Sequence, residues 1–140
     1  RSLALLGGAG LRLQRGNGRI EELHAGGAVA QFAGEEAITA ALVDGAVGDL
    51  NLMTRRGAWR HRLVPLPLHG QQEVENDAEV MLLWCQAGAA VECRLAEGEM
   101  RSLESGQGLL LESLPGALAL HARQPALLYL AWLWRETNGS

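Results

Sequence analysis

The segment Asp49-Leu50-Asn51-Leu52-Met53 carries the densest chemistry in this chain. Period-two alternation along a strand puts Asp49, Asn51 and Met53 on one face and Leu50 and Leu52 on the other. One face is apolar; the other offers a carboxylate, an amide and a thioether. Thr54, Arg55 and Arg56 follow directly, and guanidinium forks beside a row of donors and acceptors can hold a carboxylate through two parallel hydrogen bonds. The plain alternative is a half-exposed strand with its polar residues turned to water. The basic run Arg55, Arg56, Arg60 and Arg62 likewise suits a solvated strand edge. The segment is therefore a small-anion site only if its polar face lines a cavity.

Other chemistries find less support. A metal-binding site of converging strands needs imidazoles two apart with a carboxylate nearby, whereas His24, His61, His69 and His121 are scattered. Neither a metal nor another cofactor is expected. Gly7-Gly8-Ala9-Gly10 lies between two apolar runs rather than ahead of a helix, which makes it a turn and not a phosphate cradle. Trp132 and Trp134 sit two apart on one strand face; large residues there read as core or as a subunit interface, so a homodimer is one expectation. Cys85 and Cys93 flank an apparent hairpin in which Gln86 pairs with Val91, which puts the sulfurs on opposite faces as free thiols. Unpaired thiols suit a reducing cytoplasm. With a net charge of -4 and 20% charged residues, the chain lacks the positive field that draws proteins to nucleic acid or anionic lipid. Its longest apolar runs, such as Pro125 to Trp134, reach about half of the ~20 residues needed to span a bilayer as a helix.

The elements that must position these residues are short. Eighteen glycines punctuate runs such as SLALL, GLRLQ, RIEEL, AVAQF, DLNLM, EVMLLW, VECRL, GLLLE and LLYLAWLW, and this spacing predicts strands of an antiparallel barrel or sandwich. Asn17-Gly18 is the strongest hairpin signal. EEAITAALV, barely two helical turns long, is assigned to a strand. A hydrophobic fraction of 48% over 140 residues is enough to build a core.

The plan is used twice. Residues 1–53 lie over residues 81–133 at a constant offset of 80, matching Gly8 with Gly88, Gly18 with Gly98 and Gly26 with Gly106. All three pairs fall between strands, where a turn favours glycine. This offset sets Tyr129, Ala131 and Leu133 against Asp49, Asn51 and Met53, so a polar pocket is expected in the first copy alone. The second copy is preceded by WRHRLVPLPL, and the first is expected to need equivalent opening strands. Two domains follow, residues 1–66 and 67–140.

The run RSLALLGGAGLRL, the turn AVAQFAGEE and above all DLNLMTRRG resemble the HutD/Ves family, associated with bacterial histidine utilisation. Only Phe32 remains of that family's phenylalanine-rich turn. The resemblance implies an all-β fold of two stacked cupin-like (RmlC-like) antiparallel barrels, a bicupin, with a small-molecule pocket in the first. Arg1 is similar to the arginine that faces the family's pocket, and Asp49, Asn51 and Arg55 match its signature strand, beside Met53. The implied role is regulatory or accessory, with a carboxylate such as formylglutamate, formiminoglutamate or urocanate as ligand. Two rivals accompany it: a metal-free hydrolase or isomerase with Asp49 as general base, and a protein-interaction module docking through a strand edge or the tryptophans.

Overall fold

The computed structural model describes residues 1–136, in which every regular element is a β-strand. The chain divides into two units, Arg1–Thr54 and Arg55–Ser140. The division falls twelve residues ahead of the expected boundary at residue 66, because residues 59–66 open a strand that continues without a break through residue 76.

The first unit holds β1 (Ser2–Gly7), β2 (Leu11–Gln14), β3 (Ile20–Leu23), β4 (Ala30–Gln31), β5 (Thr39–Leu42) and β6 (Gly48–Leu52). They form two antiparallel three-stranded sheets, ordered β4-β1-β6 and β3-β2-β5. Leu3 and Leu5 of β1 meet Leu11 and Leu13 of β2 and Leu23 of β3 in one buried cluster. In β1 and in β2 these leucines are two apart, so alternation alone selects the core-facing side.

The second unit holds β7 (Trp59–Asn76), β8 (Val80–Gly88), β9 (Val91–Arg94), β10 (Met100–Leu103), β11 (Gly108–Glu112) and β12 (Gly116–Arg135). One six-stranded sheet runs β10-β9-β12-β8-β11, with β7 also paired to β12. The 20-residue β12 is its spine: residues 119–121 pair with β9, residues 126–133 with β8, and β7 accompanies it on both sides of a bulge between Ala122 and Ala126. Pro125 lies in that bulge, and Pro65 and Pro67 lie on β7, which among the described residues forms a ladder with β12 alone; these are the positions where a missing N–H is tolerated. The sheet curls around a core that includes Met81, Leu83, Leu118, Leu120, Leu128 and Leu130. The apolar run LLYLAWLW is thus the second half of one long strand that begins at Gly116, and β10, with the sequence MRSL, carries no apolar run of its own.

The repeated plan is visible in the turns. Gly8, Gly18, Gly26 and their counterparts Gly88, Gly98 and Gly106 all take positive φ. At the first pair a side chain is also excluded sterically: a Cβ on Gly8 would lie 2.7 Å from the Ala46 carbonyl oxygen, and one on Gly88 2.4 Å from that of Pro125. The Gly8 turn lies against the residues that lead into β6, and the Gly88 turn against the bulge of β12.

Two expectations are corrected. Gln86 does not pair with Val91. β8 and β9 leave the Gly88 turn to join different parts of β12, with Cys85 opposite Leu128 and Cys93 opposite Leu120. Both cysteines therefore face the same core, free and fully buried, and burial pushes both thiols above their ordinary pKa. The second concerns the offset of 80. It holds for β2, β3 and β5, since Leu11 opposite Leu42 corresponds to Val91 followed by the β9 and β12 ladder of the same register. Seven positions then separate Leu42 from Asp49, while six separate Ala122 from Leu128, and each of the latter residues faces the corresponding partner, Leu5 or Cys85. The true counterparts of Asp49 and Asn51 are Leu128 and Leu130, not Tyr129 and Ala131.

Candidate functional site

β1 organises the site. In an antiparallel ladder, directly opposed residues share a face. Leu3 is opposite Asn51 and Leu5 opposite Asp49 on β6, and Leu3 is opposite Ala30 on β4. Because Leu3, Leu5 and Ala30 belong to the buried cluster, Asp49 and Asn51 stand on the core-facing side of their sheet. They are nonetheless exposed, since β6 is an edge strand with no neighbour on its far side among the described residues.

Continuing both ladders by one step brings Arg1 between Phe32 and β6. The Phe32 backbone N–H donates to the Arg1 carbonyl oxygen at 3.0 Å, the Arg1 Nε donates to Asn51 Oδ1 at 3.0 Å, and the guanidinium lies 5.5 Å from the centre of the Phe32 ring. This geometry combines a hydrogen bond with a cation–π contact. Among the described residues the Arg1 side chain makes no other hydrogen bond or ion pair, which leaves the terminal nitrogens of its fork unengaged.

A second arginine flanks the same ring. Arg15 lies 5.7 Å from the Phe32 centroid and holds Glu36 through two bonds, Nε to Oε1 at 2.9 Å and Nη2 to Oε2 at 2.8 Å, with Nη1 on Glu21 Oε1 at 2.5 Å. These bonds raise the Arg15 pKa above its ordinary value, and the hydrogen bond from Arg15 holds the Glu36 carboxyl below its own. Arg15 is already matched by two carboxylates, whereas Arg1 is matched by a neutral amide. Of the two cations beside Phe32, Arg1 is the one with capacity for an incoming anion.

The expected site residues divide accordingly. Arg1, Asn51 and Asp49 share a face and a neighbourhood. Met53 continues β6 toward the same end and is highly exposed. Arg55 lies past the division, in a turn where its carbonyl oxygen accepts from the N–H groups of Ala58 and Trp59, and is not part of the face built on β1, β4 and β6. Phe32, Arg15, Glu21 and Glu36 were not anticipated as a group. A signal existed for two of them: Arg15 continues the alternation Leu11, Leu13, and Glu21 stands two before Leu23, opposite Leu13.

In the second unit the corresponding end of the sheet is built around Trp132 and Trp134. Trp132 packs against the core and its Nε1 donates to the Glu75 carbonyl oxygen at 3.0 Å, while Trp134 Nε1 donates to Asp77 Oδ1 at 3.0 Å. Arg62 lies over Trp132 at 5.8 Å and Arg60 over Trp134 at 4.3 Å. The alternating basic run on β7 is thus a set of partners for the tryptophans of β12. No group of three or more His, Cys, Asp and Glu side chains is arranged to hold a metal ion among the described residues. No helix among them is long and apolar enough to cross a membrane.

The fold and the family are shared with known proteins. The chain is similar to PA5104, a conserved protein of unknown function from Pseudomonas aeruginosa PAO1, at 27% identity over 97% of this chain and 72% of that one, with a TM-score of 0.86. It also shares its fold with HutD from Pseudomonas fluorescens SBW25, solved in a formate condition, at 19% identity over 97% of this chain and 68% of that one, with a TM-score of 0.77. No match is found among curated proteins. The HutD family model matches residues 1–130, the span that carries both sheets of the first unit and nearly all of the second; the chain belongs to the HutD family.

Proposed function

We propose that this chain is an accessory or regulatory protein of histidine utilisation that binds a small carboxylate at the Arg1–Asn51 face of its first unit. Membership of the HutD family supports the pathway. The observation that carries the ligand class is the Arg1 guanidinium, held by Asn51 and Phe32 on the core-facing side with its terminal nitrogens unengaged. A fork fixed in this way loses little freedom on gripping a carboxylate. In this reading Asn51 both orients Arg1 and uses its amide N–H to read a formyl or imino group, and Asp49, on the same face, accepts an N–H from the ligand. Formylglutamate and formiminoglutamate offer both features, and urocanate offers the carboxylate with an imidazole. Met53 adds apolar contact at the rim. The same proposal takes the curled sheets as the cores of two stacked cupin-like barrels, working in the cytoplasm as a monomer or homodimer.

Calorimetric titration with the three carboxylates is the test. At least one should bind, and Arg1→Met and Asn51→Ala should each weaken it about tenfold or more, the loss of a charge-assisted hydrogen bond. Absence of binding by all three at millimolar concentration, or binding indifferent to both substitutions, would reject the proposal.

A further inference from the structure

The second unit carries polar chemistry on the opposite side of its sheet, away from the core. Ser102 of β10 is opposite Glu92 of β9, and Glu92 is opposite His121 of β12, so the three side chains form a row across three strands. Directly opposed side chains stand roughly 5 Å apart at Cβ. Arg123 follows two positions after His121, at the start of the β12 bulge. With Gln124 and the turn residues Ala89 and Ala90, these groups line an open cleft of about 490 Å³, within the range of small-molecule sites. Gly88 and Pro125, the chain neighbours of Ala89 and Gln124, approach each other too closely to admit a side chain on Gly88.

The first unit shows what such a face looks like when it is self-satisfied. At the matching positions Arg12 pairs with Glu22 at 3.6 Å, Glu22 also meets His24 Nε2 at 3.4 Å, and Ala41 and Val43 stand where the second unit has His121 and Arg123. In the second unit a carboxylate, an imidazole and a guanidinium line one concavity, yet among the described residues none of Glu92, His121 and Arg123 makes an ion pair or a side-chain hydrogen bond. Both signs of charge are presented without being matched internally. A ligand of one sign would satisfy one group and oppose the other.

We infer that the cleft lined by Glu92, Ser102, His121 and Arg123 is a second ligand site, for a small zwitterion of the α-amino-acid type. Arg123 takes the carboxylate, Glu92 takes the ammonium group, and Ser102, His121 and Gln124 supply neutral hydrogen bonds to the remainder. The exposure of these groups keeps the affinity in the millimolar range.

The probe is L-glutamine, compared with glutaramate, which lacks the ammonium group, and 4-aminobutanamide, which lacks the carboxylate. Amide NMR titration of the full chain should show saturable shifts at residues 89–92, 102 and 121–124 with L-glutamine, and binding weaker by about tenfold or more with either analogue. Arg123→Met and Glu92→Gln should each abolish the preference for the zwitterion, while Asn51→Ala in the other unit should leave it unchanged. Absence of saturable shifts at these residues up to about 20 mM L-glutamine, or equal binding of the three compounds, overturns the inference. Because it does not involve Arg1 or Asn51, its failure is separate from any failure of the carboxylate site.

Discussion

The two units of this chain follow one strand plan and put opposite chemistry on the same structural position. In the second unit the strand opposite β8 presents Leu128 and Leu130 to the core, both essentially inaccessible. In the first, the strand opposite β1 presents Asp49 and Asn51 on the matching face, and both are exposed. The difference lies in what flanks the strand. β12 is covered by β7 along its length, so its inner face is sealed and must be apolar; β6 is an edge among the described residues, so polar groups there keep their water. A duplicated architecture thus presents polar side chains where one copy is left open and remains a packing element where the other is closed.

The strongest way to break this comparison is to exchange the chemistry. Leu128→Asp should cost more than about 4 kcal/mol, because it buries an unpaired carboxylate where water cannot follow; urea unfolding of the second unit measures it, and a loss below about 1 kcal/mol would mean that this core is not sealed. Next in size is the repeated turn. Gly88→Ala should lose about 2 kcal/mol, and Gly8→Ala somewhat less, since each adds a clash with a backbone carbonyl to an unfavourable φ. Equal stability of wild type and both variants would remove the argument that the two turns are held by the same close approach.

A smaller effect distinguishes Arg15 from Arg1. The Glu36 carboxyl is held below its ordinary pKa by Arg15. Its contribution is therefore complete above the ordinary carboxylate range and fades as the pH falls through the lowered value. Glu36→Gln should destabilise the first unit at neutral pH, and the gap from wild type should narrow below about pH 4; a gap independent of pH would show that the charge of Glu36 is irrelevant. Smallest of all is Asn51→Leu, which copies the second unit into the first and should change stability by no more than about 0.5 kcal/mol, as at other exposed positions. Thermal unfolding checks this, and a large change in either direction would mean that β6 is not the open edge described here.

Much of the fold was legible in short-range pattern. Period-two runs located most strands, and the glycine pairs at 8 and 88, 18 and 98, and 26 and 106 revealed the repeat. Errors arose where a second, distant partner decides the outcome. The Cys85 to Cys93 segment looks like a hairpin locally, but each arm pairs with β12 instead of with the other, and both cysteines join the core around that strand. The offset of 80 slips by one residue because the connection from Leu42 to Asp49 is longer than the bulge from Ala122 to Leu128, and a slip of one reverses every face.

For the site, the sequence by itself determined that Asp49 and Asn51 share a face, that Leu50 and Leu52 share the other, and that Arg15 and Glu21 continue rows of core leucines. Alternation fixes such parity because successive Cβ atoms point to opposite sides of a strand. It does not say which side is inside. Only tertiary pairing decided that, by setting Asn51 against Leu3 and Asp49 against Leu5 and by bringing Arg1 to Phe32 and Asn51 across 31 and 50 residues of chain. Those contacts depend on the register between strands far apart in sequence, which follows from where the whole sheet buries its leucines and not from any one segment.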